Sequence, residues 1–273
     1  MREDRFAALP PRRNRLRAEG ADLSWLEWGD AGAPLLLLHG ITSNAQAWWR
    51  VAPRLVQAGF HVFALDMPGH GLSGQVADHR VESMARLVAA AAGELGLDTV
   101  TLVGHSWGGS VALALAAAPG ATRVERVALL DPALSLTAEA GRARVPMFTK
   151  GIGSPVEALV PAIAAANPDW PHGDVWWKAE AMLQCRFAAV EGFFTQSGDW
   201  SLTDALGKVQ APLLLLLADA AGTIVDEPTR RAAQRSLGAN ARLAVVPGTT
   251  HNMYRGAGYE PTMAALLGWL GQA

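Results

Sequence analysis

The sequence predicts an α/β fold: a parallel sheet with helices on both faces and a helical insertion in the middle of the chain. Three observations predict it. Short apolar runs alternate with longer helical patterns. The runs are near-continuously apolar rather than alternating, as in strands buried on both faces. The rhythm lapses between Pro132 and Gly207 and then resumes.

The elements follow in order. Leu23–Gly29 ("LSWLEWG") and Pro34–Gly40 ("PLLLLHG") read as the first strands. "AQAWWRVAPRLVQAG" reads as a helix with Gly59 at its end. Next come strand His61–Asp66, helix "VESMARLVAAAAGELG", strand Thr99–His105, helix "WGGSVALALAAA" and strand Val124–Asp131. In the lapse, "VEALVPAIAAA" and "VWWKAEAMLQCRFAAVEGFF" are helix-like and are divided by "NPDWPHGD". The rhythm returns with strand Ala211–Ala218, helix "EPTRRAAQRSLG", strand "ARLAVVPG" and a last helix "YEPTMAALLGWL". The expected division is a core of 1–131 and 208–273 with a helical cap over 132–207.

Bulk properties narrow the function. Half of the 273 residues are hydrophobic, enough for one large core that needs no staples. A net charge of −2 excludes a polyanion binder, so no nucleic-acid partner is expected. The basic run Arg12–Arg17 is expected to be a solvated arm. The first twenty residues contain no apolar h-region, so no secretory leader is expected. The longest apolar runs fall far short of the ~18 residues of a membrane span. Cys185 is the only cysteine, which excludes an internal disulfide and a multi-Cys metal site. A soluble cytoplasmic protein with no cofactor and no metal is expected.

The chemistry centres on "GHSWGG", Gly104–Gly109, which fits G-x-S-x-G between a buried strand and an alanine-rich helix. A nucleophile there sits on a sharp turn, so Gly104 and Gly108 avoid side-chain collisions. Ser106 then lies at a helix N-terminus, where unpaired N–H groups favour developing negative charge. "HGITSN", His39–Asn44, ends an earlier strand. The N–H groups of Ile41 and Trp107 can form a two-donor oxyanion hole. A serine needs a base. Of the seven histidines, His251 in "PGTTHNMYR" follows the last strand, at the carboxyl edge where ligands bind in open α/β sheets.

With these residues in hand, the chain resembles the α/β-hydrolase superfamily in its capped, esterase-like branch. The resemblance rests on "LLLLHGITSN", "LDMPGHGLSG", "LVGHSWGG" and "VVPGTTHNMYR". It implies an eight-stranded, mostly parallel sheet, a nucleophile–acid–histidine triad in that chain order, and a cap inserted after the sixth strand. Members that resemble dehalogenases and epoxide hydrolases carry Asp at the elbow; here it is Ser106, which disfavours both chemistries.

The acid departs from the family pattern. Most members place it after the seventh strand, in a motif like G-x-x-D, but here that stretch is "ADAA", Ala218–Ala221. Three carboxylates are candidates. Asp219 lies only two residues past the last strand leucine, and Asp226 borders a helix start, where an N-cap explains it. Asp131, at the tip of the sixth strand in "VALLDPALS", matches a subset of the family that places its acid there, and it is the preferred reading.

Aromatic residues crowd the insertion and its edges. Trp176 and Trp177, with Trp48 beyond the oxyanion loop, are expected to line the substrate pocket. Lys178 and Arg186 are expected on the solvated face of the cap. The expected activity is a serine hydrolase acting on a small-molecule ester with an apolar or aromatic part. Lactones, amides or peptides, and carbon–carbon bonds are alternatives for the same triad; a non-catalytic binding protein is a further alternative.

Overall fold

The computed structural model describes residues 9–118, 120 and 122–272. The expectation that the chain starts without a leader falls partly on residues 1–8, outside the described residues. The sheet strands are β1 (Arg12–Ala18), β2 (Ala21–Trp28), β3 (Ala33–Leu38), β4 (Phe60–Asp66), β5 (Thr99–His105) and β6 (Arg123–Leu130). A two-residue pair, β7 (Ser135–Leu136) and β8 (Trp200–Ser201), stands apart. The sheet resumes with β9 (Leu213–Leu217) and β10 (Ala241–Val245).

Eight strands form one sheet in the order β1-β2-β4-β3-β5-β6-β9-β10. β1 and β2 pair antiparallel, as do β2 and β4; every later pairing is parallel. The β5–β6 ladder contains one irregularity: Val100 faces Val124 but Thr101 faces Arg126, so Glu125 is an extra residue on β6. Beyond it the register runs to His105 opposite Leu130.

The run Arg12–Arg17 corrects the expectation of a solvated arm, because it forms most of β1. Arg13 reaches across to Asp66 at 2.6 Å, and Arg12 pairs with Glu27 at 2.9 Å. A polar antiparallel edge strand lacks the continuous apolar signature of its inner neighbours, so its composition hides it.

Helices α1 (Val51–Gln57), α2 (Val81–Glu94), α3 (Trp107–Ala117), α8 (Glu227–Ser236) and α9 (Tyr259–Leu270) flank the sheet. The first helix is shorter than its sequence pattern. A 3-10 turn over Ala45–Trp48 precedes it, and α1 begins only at Val51. Pro53 explains the break: it lacks an N–H, and its ring would meet the carbonyl of Trp49 in a continuous helix. Two apolar clusters cover the sheet. One includes Val88, Val111, Leu102 and Leu215; the other includes Leu55, Leu35, Leu214 and Leu266.

Between β6 and β9 lie α4 (Ala138–Thr149), α5 (Val156–Ala166), α6 (His172–Gln184) and α7 (Phe187–Thr195). The long apolar stretch of the insertion is two helices, divided at Cys185–Arg186. Buried Val190, Phe193 and Phe194 of α7 join the same cluster as the sheet residues beneath them. Among the described residues no helix is long and apolar enough to cross a membrane.

Candidate active site

Strand order changes direction between β3 and β5, since β4 lies on one side of β3 and β5 on the other. A crevice at the carboxyl ends of such strands is the expected ligand site. Ser106 stands there, between β5 and α3, with φ 53° and ψ −119°. Its neighbours allow that turn only if they lack side chains. A Cβ on Gly104 would strike the Gly108 carbonyl, and one on Gly108 would strike the Leu38 carbonyl.

Three groups from three strand ends meet. Nε2 of His251, which follows β10, lies 3.0 Å from Oγ of Ser106. Its Nδ1 lies 2.7 Å from Oδ2 of Asp131, just past β6. This pairing fixes the tautomer: Nδ1–H donates to the carboxylate and Nε2 is free to accept from the serine hydroxyl. Asp131 is fully buried, the His251 side chain is 26% exposed, and Ser106 is buried.

Asp131 accepts further hydrogen bonds from the loop after β9. Ala218 N–H and the Thr223 hydroxyl donate to Oδ1, at 3.2 and 2.5 Å. Ile224 N–H donates to Oδ2 at 3.1 Å. Together with His251, these donors compensate the burial of the carboxylate. The other two candidate acids are used elsewhere. Asp219 accepts from Gly248 N–H at 2.9 Å, which ties its loop to the turn after β10. Asp226 caps α8 by accepting from Thr229 N–H at 2.8 Å.

Trp107 is the first residue of α3, so its N–H has no acceptor within the helix. Ile41 lies in the loop after β3 and shares a cavity with Ser106 and His251. Two neutral histidines support that loop. Burial holds the His39 imidazole down to about 4 and that of His70 down to about 3. Their hydrogen bonds agree with the neutral state. His39 Nδ1–H donates to Gly40 O while Nε2 accepts from Met67 N–H. His70 Nδ1–H donates to Pro68 O while Nε2 accepts from Thr42 N–H. His105 Nε2–H donates to the carbonyl of His251 at 2.8 Å, and the two rings lie 4.6 Å apart.

The cavity measures about 160 Å³. Leu134, Leu136, Phe148, Phe193, Phe194 and Trp200 give it an apolar wall. Arg144 on α4 and Asp226 also border it. Trp48, Trp176 and Trp177 are not among its lining residues. Trp48 is fully buried and stacks on Tyr254 at 4.5 Å, because the 3-10 turn directs it into the core. Trp176 and Trp177 lie half-buried on α6, and Trp176 Nε1–H donates to Glu180 at 3.2 Å. Lys178 is not on a solvated face: it binds Thr42. Arg144 escaped the sequence reading because nothing in its helix resembles a motif. Among the described residues no group of three or more His, Cys, Asp or Glu side chains converges as a metal site.

Comparison with known proteins gives matches along most of the chain. The α/β hydrolase fold family matches residues 33–160. An N-formylmaleamate deformylase of Pseudomonas putida KT2440 is 32% identical over 238 residues, covering 86% of this chain and 87% of that protein. A non-heme haloperoxidase of Rhodococcus erythropolis is 29% identical over 254 residues, covering 86% of this chain and 91% of that protein. The crystal structure of an E-2-(acetamidomethylene)succinate hydrolase superposes with a TM-score of 0.80 at 22% identity, covering 95% of this chain and 99% of that one. That last likeness is one of fold.

Proposed function

The chain belongs to the α/β-hydrolase fold family, and on that premise we propose that it is a serine hydrolase whose nucleophile is Ser106. The observation that carries this reading is the hydrogen-bonded chain from Asp131 through His251 to Ser106, at 2.7 and 3.0 Å. In it His251 takes the proton of Ser106 as Oγ attacks a carbonyl carbon. The N–H groups of Ile41 and Trp107 receive the oxyanion. The imidazolium, steadied by Asp131, returns its proton to the leaving group, and water then cleaves the acyl-enzyme by the same relay.

The substrate class that fits is an uncharged carboxylic ester with an apolar or aromatic part. The wall of Phe148, Phe193, Phe194 and Trp200 supports it. Residues 132–207 act as the cap that supplies most of this wall. Replacing Ser106→Ala tests the reading with p-nitrophenyl esters. Turnover falls by at least about 10³-fold, and an unchanged rate refutes it.

A second reading keeps the relay and changes the bond. Arg144 borders the cavity, and the relative that is 32% identical is named as a deformylase. An N-acyl amide that carries a carboxylate is therefore the alternative substrate. Turnover of such an amide well above that of a neutral aryl ester decides for it. The binding-only alternative drew on the missing acid after β9; the hydrogen bond from His251 to Asp131 favours catalysis instead. Covalent labelling of Ser106 by a fluorophosphonate separates these two.

A further inference from the structure

The loop that carries Ile41 is held from two sides. Thr42, the next residue, has φ 57°, in the left-handed region that a β-branched residue avoids unless its surroundings hold it there. From the core, His70 accepts the Thr42 N–H at 3.3 Å. From the insertion, Nζ of Lys178 on α6 donates to Thr42 O at 2.9 Å and to Thr42 Oγ1 at 2.6 Å. Further along the same helix, Gln184 accepts from Asn44 Nδ2 at 3.0 Å. Helix α6 thus grips the loop at two positions.

Lys178 is a poor choice for stability alone. No carboxylate pairs with it among the described residues. Desolvation, with the Arg255 charge nearby, holds its ammonium down to about 7. A methionine of similar length would fill the space without the cost of an unpaired cation. What the lysine adds is two donors aimed at one residue of the turn beside Ile41.

We propose that Lys178 is a positioning residue for the oxyanion hole: its two hydrogen bonds to Thr42 fix the turn that presents the Ile41 N–H to the carbonyl under attack. The inference rests on the Ser106 reading above. Small misplacement of such a group costs as much as ~10²-fold in rate while substrate binding is little changed.

The test uses the full chain and p-nitrophenyl acetate. In Lys178→Met, kcat falls about tenfold or more while KM stays within about twofold. Affinity for an aryl trifluoromethyl ketone, whose serine adduct places an oxyanion in the hole, falls in parallel with kcat. Unchanged kcat, or a loss confined to KM, overturns the proposal, as does undiminished ketone affinity. If Lys178→Met does not fold, Thr42→Val removes the hydroxyl acceptor alone; kcat then falls about threefold at constant KM, and an unchanged kcat overturns the proposal. Ser106→Ala runs alongside. If it abolishes turnover while Lys178→Met and Thr42→Val do nothing, only the role of Lys178 fails. If it leaves turnover intact, the serine mechanism itself fails.

Discussion

Among the described residues only four non-glycines have positive φ, and three of them stand at the site: Thr42, Ser106 and Asp131, at 57°, 53° and 43°. Each such residue costs of order 1–3 kcal/mol, so it persists only where its neighbours over-determine it. Ser106 and its flanking glycines were legible in the sequence because the elbow is a local motif. His251 was legible because it follows a strand. Asp131 was legible as the preferred of three carboxylates, from its place at the strand tip, but the contact that singles it out joins residues 120 apart in the chain. The contrast between Asp131 and Asp219 gives a direct measurement. Asp131→Asn lowers kcat on a p-nitrophenyl ester by on the order of 10⁴, through loss of the tautomer and of imidazolium stabilisation. Asp219→Asn leaves kcat within about twofold, because the Asp219 carboxylate is held by backbone N–H groups, that of Gly248 first among them, and not by His251. The reverse pattern would assign the acid to Asp219.

Elements divided into those whose pattern was plain and those whose pattern was masked. The strands β3 and β9 are continuously apolar, β5 and β6 are apolar over most of their buried parts, and the positions of all four were readable to within two residues. Strand β1 was not, because arginines occupy four of its seven positions and leave it no apolar run. Helix α4 was not, because its sequence "AEAGRARVPMFT" has little apolar periodicity and contains Pro146. That helix nevertheless brings Arg144 to the cavity. If a carboxylate-bearing substrate is the natural one, Arg144→Gln raises its KM about tenfold or more and leaves KM for a neutral ester unchanged. Equal effects on both substrates would deny α4 a part in charge recognition. The loop after β9 lacks a carboxylate for His251, yet three of its residues donate to the one that β6 supplies.

At the scale of the whole molecule, neutral histidines buried beneath the site set a pH dependence. Burial holds His39 and His70 at about 4 and about 3 when folded, against ~6.5 in an unfolded chain. The folded state therefore keeps them neutral, and its stability is complete above pH ~6.5. As pH falls towards 4 the unfolded chain takes up protons that the folded chain refuses. Each histidine then removes on the order of 1 kcal/mol per pH unit. Urea unfolding at pH 7 and pH 5 measures this loss, and His70→Gln flattens the slope; a wild-type slope no steeper than that variant's would contradict the assignment. The sheet sets the site in another way, through counting. Side chains alternate between faces along a strand, so one residue too many sends every later side chain to the wrong side. Strand β6 has one too many, and the irregularity at Glu125 absorbs it. Because it does, Leu130 lies level with His105, and Asp131 and Ser106 are the residues that follow them directly. An extra residue near the far end of a strand thus corrects the parity of the chain, and that correction sets the two strand ends level where the turns to the hydroxyl and the carboxylate begin.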